Sequence, residues 1–181
     1  MHRLVLCFSI VFFSAFRVRS AIDSVLSVEE KMRLAFPGCS TKKETIYLTD
    51  AQLENASVKS KEKINSKLVT RYLAVCGGRI DGTGYVDSHV LRTKPESLLV
   101  VVGKSGEIRR VEAFSFLEPP EYQPKPKWYG QFIGKTLGED LKLREGISFV
   151  TGSTITARAT LSAVRRILAI HQSLSSSSGQ P

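Results

Sequence analysis

From Ser27 onward the spacing of apolar positions switches from helical to extended and back. The stretch "SVEEKMRLAF" opens with Ser27 ahead of Glu29 and Glu30, a helix-start pattern, and "PGC" stops it. "ETIYL" reads as a short strand, and "TDAQLENASVKS" as a helix capped by Thr49 or Asp50. The run "KLVTRYLAVCGGRIDGTGYVDSHVLRT" predicts two strands joined through a glycine-rich turn, with "GG" and "DGTG" both carrying turn signals. "SLLVVVGKSGEIRRVEAFSF" predicts a second hairpin turning at "GKSG".

Four prolines, Pro119, Pro120, Pro124 and Pro126, then forbid regular structure until the aromatic "WYGQF", which marks a connector laid over the body of the domain. A final helix is expected to start between Thr154 and Thr156 and to run to about Gln172. On a wheel of about 100° per residue, Ala157, Leu161, Val164, Leu168 and His171 share an apolar sector. Arg158, Ser162, Arg165 and Arg166 share the opposite one, so the helix is expected to pack by one face. Sheet followed by helix implies a single α+β domain spanning residues 21–172, ahead of a disordered tail at 173–181, "SLSSSSGQP".

The first twenty residues read differently. "MHR" is a basic start, "LVLCFSIVFFSAF" is an apolar run too short for a comfortable membrane span, and polar sequence follows, which is the layout of a secretory signal. Export leaves Cys39 and Cys76, which can form one disulfide or remain two thiols. A zinc site is disfavoured, because there is no CxxC spacing and the histidines are His2, His89 and His171. The formal charge of +9 falls to about +6 once Arg3, Arg17 and Arg19 are set aside. The remaining basic residues lie beside acidic ones, a solvated surface rather than a nucleic-acid footprint.

The densest chemistry lies in "SFVTGSTITARA", residues 148–159, where hydroxyl residues crowd a glycine at the mouth of the final helix. A helix N-terminus directs unpaired N–H groups and the positive end of its dipole outward, which suits a phosphate. A plain Ser or Thr cap explains the same pattern. "TGST" is neither a phosphate loop with lysine nor a dinucleotide-binding glycine turn.

"VTGSTITARATLSAVRR" resembles the flavinylation segment of FMN-binding domains, the family that includes a periplasmic subunit of the sodium-translocating NADH:quinone reductase. That motif runs Asp, two free positions, Ser or Thr, Gly, Ala, then Thr or Ser, the last hydroxyl carrying FMN through a phosphoester. Here Thr151, Gly152 and Thr154 fill the hydroxyl, glycine and attachment positions, while Ser148 replaces Asp and Ser153 replaces Ala. The replacement of Asp leaves covalent and noncovalent FMN both open. "LAFPG", "LVTRYLAV", "TGYVDSHVLRT", "LLVVV" and "VEAFSFLEPPEY" extend the resemblance over residues 28–172.

The resemblance implies a twisted antiparallel sheet with flanking helices. It also implies an exported electron carrier, periplasmic or held at the outer side of the cytoplasmic membrane, with a flavin transferase and a redox partner. Thr154 would carry FMN, Thr151, Gly152 and Ser153 would surround the phosphate, and Thr156 would cap the helix or join them. Arg158 could pair with the phosphate or lie on a solvated helix face, and His89 and Arg92 could hydrogen-bond ring or phosphate, although a polar strand face also explains the last two. Trp128, Tyr129 and Phe132 could stack on the ring or simply anchor the connector, and "EPPEY" reads as a structural corner. Two rivals remain: a hydrolase using Ser153 or Thr154 as nucleophile, and a structural or lipid-surface protein without a cofactor.

Overall fold

A computed structural model describes residues 26–138 and 141–177; the expected signal at 1–20 and the last four residues of the tail lie outside the described residues. Ser27 caps helix α1 (Val28–Ala35), its hydroxyl accepting from the Glu30 amide while the Glu30 carboxylate accepts from the Ser27 amide, so two otherwise orphaned donors are satisfied reciprocally. Thr49 and Gln52 close the same box on α2 (Asp50–Ser60), which decides between the two expected caps.

Between and after these helices run β1 (Ser40–Tyr47), β2 (Leu68–Cys76), β3 (Arg79–Val90), β4 (Pro95–Gly103) and β5 (Ile108–Phe116). They form one antiparallel sheet in chain order, β1-β2-β3-β4-β5. The fold is α+β, with the sheet, flanking helices and C-terminal helix expected of it. Strand β1 begins four residues before "ETIYL" and ends one before Leu48, which is buried outside the strand. Its first half, Ser40 to Lys43, is polar because this is an edge strand, where exposed lysines discourage pairing with another chain.

The glycine-rich turn resolves into two unlike parts. Gly77 and Gly78 form the two-residue turn, both with positive φ, a conformation that other residues adopt at a cost. "DGTG" lies inside β3 instead. There a Cβ on Gly82 would come 2.0 Å from the Phe36 ring and one on Gly84 would come 2.5 Å from Met32 Sδ, so these glycines are close-approach positions for α1.

Strand β4 is buried on both faces, which accounts for its unbroken apolar run. Leu99 and Val101 meet Val28 and Met32 of α1 and Phe36 at its C-terminal cap. On the other face Leu98, Val100 and Val102 meet the long helix α4 (Thr154–Ser177), which follows a one-turn helix α3 (Pro126–Tyr129) formed in the proline-rich connector where no regular structure was expected. Helix α4 continues five residues past Gln172 into the expected tail. The Ser175 and Ser176 hydroxyls there donate to carbonyls four residues back.

Helix α4 is not packed by one face. Ala157, Leu161, Val164 and Leu168 meet the sheet as expected, but Ala169 and Ile170 pack with Leu48 and Ala56, so α2 covers its outer side. The polar sector is correspondingly engaged: Ser162 donates to Glu62, and Arg165 donates to the carbonyls of Ser60 and Leu141. Only Arg158 of that sector is exposed. The connector brings Trp128, Tyr129 and Phe132 into the core, where Trp128 meets both other rings edge-on and its indole N–H donates to the Ser148 carbonyl at 2.7 Å. These aromatics are anchors. "EPPEY" is a corner, with Glu118 accepting the amides of Arg92, Thr93 and Lys94.

Cys39 and Cys76 are joined, with Cα atoms 4.5 Å apart. They extend the β1–β2 register one step beyond Ser40↔Val75, where directly opposed residues approach this closely. Replacing both with serine is expected to cost about 2–4 kcal/mol, because the bond closes a loop of 37 residues in the unfolded chain. Urea unfolding of the oxidised protein checks this, and reduction of the wild type should reproduce the loss.

Candidate functional site

The hydroxyl turn divides into inward and outward members. Gly152 takes φ 81° and turns the chain, and the Ser153 carbonyl accepts the first α4 bond, from the Ala157 amide at 2.9 Å. Ser153 is therefore the capping position, but its buried hydroxyl points inward, 3.4 Å from the Glu121 carbonyl. Thr156, fully buried, donates to the Tyr122 carbonyl at 2.7 Å. Both hydroxyls bind the 3-10 segment Pro120–Tyr122 to the base of the helix. The simple cap expected from the pattern is thus replaced by a tertiary clasp.

Thr151 and Gly152 are exposed, and Thr154 is half-buried. The amides of Thr154, Ile155 and Thr156 open the helix and have no intrahelical acceptor. Arg158 is exposed four residues after Thr154, the spacing that places two side chains on one helix face. Thr151, Gly152, Thr154 and Arg158 therefore meet at one accessible helix mouth, while Ser153 and Thr156 are brought there for support. Ser148 is fixed by its backbone: its amide donates to Gln131 Oε1 and its carbonyl accepts from Trp128.

His89 is not part of this mouth. It sits on β3 beside Arg166, which is twelve residues along α4 from Thr154, on the order of 18 Å away at the helical rise. Arg166 donates to both oxygens of Asp87 through Nε and Nη2. His89 Nδ1 lies 2.9 Å from Asp87 Oδ1, and its Nε2 lies 3.2 Å from Glu96 Oε2, close enough for an ion pair though not aligned as a hydrogen bond. Glu96 is fully buried. Arg92, the other strand residue considered for a ligand, lies over the Tyr122 ring at 4.2 Å.

Asp87 and Glu96 escaped the sequence reading. The available signal was the alternation Tyr85, Asp87, His89 at period two together with a lone acid at the head of the apolar β4 run. Burial alone would raise the Asp87 pKa, but the bonds from His89 and Arg166 outweigh it and hold the carboxyl below its usual range. The hydrogen bond to Asp87, with the nearby Glu96 carboxylate second, raises His89 to about 9. A cationic His89 engaged at both nitrogens has no lone pair to offer as a base. The pKa of the other described histidine, His171, is lowered mainly by burial, and its Nδ1 is engaged with the Tyr85 hydroxyl at 3.0 Å. Among the described residues, neither imidazole pairs with Ser153 or Thr154, as nucleophilic catalysis would require.

Because its folded pKa is raised from 6.5, His89 contributes stability that is present in full below about pH 6.5 and lost as pH rises through about 9. The melting temperature of the wild type is expected to fall across that window more steeply than that of His89→Gln. Parallel pH curves for the two proteins would remove His89 from the account.

No family model matches the chain, and no curated protein matches it significantly. Among the described residues, no helix is long and apolar enough to cross a membrane, and no group of three His, Cys, Asp or Glu residues could hold a metal ion.

Proposed function

We propose that this chain is an exported FMN-binding protein that relays electrons, with FMN joined to Thr154 through its phosphate. The observation that carries the reading is the division of labour in the turn. Ser153 and Thr156 are committed to the 3-10 clasp, while Thr154 stays partly accessible at the opening of a 24-residue helix. Such a mouth stabilises a phosphoester's negative charge through the helix dipole by about 0.3–1 kcal/mol. The three opening amides can add hydrogen bonds, and Arg158 supplies a cation on the same face.

The chain's own residues would hold the phosphate end, and the isoalloxazine would supply the one- and two-electron chemistry. The basic-then-apolar start of the chain supports export, and the Cys39–Cys76 bond suits an oxidising compartment. A flavin transferase would install the cofactor, and a soluble or membrane-bound redox partner would exchange electrons with it. Ser148 in place of a family aspartate favours, as a second reading, FMN held at the same mouth without a covalent bond.

Intact mass and visible absorbance of the protein from its native host test the proposal. A yellow protein heavier by one FMN less water supports it, and a yellow protein that loses flavin on denaturation supports the noncovalent form. A colourless protein that does not take up added FMN overturns both.

A further inference from the structure

Strands β2 and β3 stop pairing before either strand ends. Their register runs from Cys76↔Arg79 to Arg71↔Tyr85, yet β2 continues through Leu68 and β3 through Val90. Leu68 to Thr70 pair only with β1, and Val86 to Val90 only with β4. Alternate residues of both splayed ends therefore turn N–H and C=O groups towards a gap instead of a neighbouring strand. That gap is a cavity of about 320 Å³, at the small end of the range for ligand sites.

The cavity has two unlike walls. Ile64, Val69, Ile167 and Ile170 give it an apolar side. Asp87, His89 and Arg166 give it a charged side, with Lys63 exposed at the rim. Glu96 behind the wall offsets His89, which leaves Lys63 and Arg166 against Asp87. Arg166 commits Nε and Nη2 to Asp87, so its Nη1 stands outside that pair. The balance favours an anion, and the opposite wall favours an apolar body attached to it.

We propose that the splay between β2 and β3 is a binding site for a small carboxylate with a flat or branched apolar body, separate from the helix mouth and independent of whether FMN is carried there. The carboxylate would sit between Arg166 and Lys63 and accept from strand amides, while the apolar body would lie against Ile64, Val69, Ile167 and Ile170. A neutral analogue loses the charged contacts and leaves Arg166 Nη1 and Lys63 to water. A cationic analogue is repelled.

Amide NMR of the full chain, titrated separately with benzoate, benzyl alcohol and benzylamine, tests this. Benzoate is expected to shift the amides of Thr70, Val86, Ser88 and Ile167 saturably, with benzyl alcohol about tenfold weaker and benzylamine without a saturable effect. Lys63→Glu, a change at an exposed position that should leave the fold intact, is expected to weaken benzoate on the order of fivefold. The proposal is overturned if benzoate gives no saturable shift at these amides, or if its shifts cluster instead at Gly152 to Arg158. Equal binding of benzylamine, or unchanged benzoate affinity in Lys63→Glu, would overturn the anion selectivity on which it rests.

Discussion

Leu168→Ala is expected to lower the free energy of unfolding by about 2–5 kcal/mol. Leu168 is 1% exposed and belongs to the cluster in which α4 meets Leu98, Val100 and Val102 of β4 and Phe132 of the connector. Helix, strand and connector share that cluster, so the surroundings cannot collapse into the space Leu168 leaves without moving the sheet or the helix. The urea midpoint should fall with little change in slope, and the melting temperature should drop by about 2–4 °C for each kcal/mol lost. Arg158→Ala, an exposed change on the same helix, should stay within about 0.5 kcal/mol. Similar responses from the two variants would show that α4 is not seated on the sheet in this way.

The elements were legible because each carries a local signal. Capping boxes at Ser27 and Thr49, the Gly77–Gly78 turn and the two-sided apolar run of β4 follow from short-range chemistry. Local signals failed where a distant residue decided the outcome. Gly82 and Gly84 look like turn residues, but their lack of a side chain serves Phe36 and Met32, roughly fifty residues earlier in the chain. The polar stripe of α4 looked solvated because a helical wheel shows which residues share a face and not what lies against it. Ser60 and Leu141 carbonyls lie against Arg165, and Asp87 lies against Arg166.

The candidate site was legible to the same degree. The hydroxyl cluster was visible from residue types, and its position at the start of a helix followed from the period of the residues after it. The opposite roles of its members were not visible, because Glu121 and Tyr122, the carbonyl partners of Ser153 and Thr156, are 32 and 34 residues away. His89 was grouped with the turn as a polar residue able to bind flavin. The strand order instead places it with Asp87, Glu96 and Arg166. A histidine between two acids on neighbouring strands requires the β3–β4 register, which opposes His89 to Glu96 and which sequence spacing alone did not supply.

That division of the hydroxyls sharpens the cofactor test: Thr154→Val should abolish the FMN mass increment in protein made alongside a competent flavin transferase, with the fold preserved. Valine matches threonine closely in shape but lacks the oxygen that would form the phosphoester, and the half-buried position should tolerate the methyl. Ser153→Ala and Thr156→Val should behave in the opposite way. Each removes a bond to the 3-10 clasp, costing about 1 kcal/mol in stability, and each leaves the attachment oxygen in place. Full labelling of Thr154→Val would move the attachment to Thr151, the exposed hydroxyl of the turn, because Thr156 is buried and bonded. Ser148→Asp, which supplies the carboxylate of the FMN-attachment motif that the turn resembles, should raise occupancy wherever its absence limits the transferase. Unmodified wild-type protein that still binds FMN reversibly would leave Thr154 a phosphate ligand rather than an attachment point, and in that case Thr154→Val should weaken FMN binding without removing it.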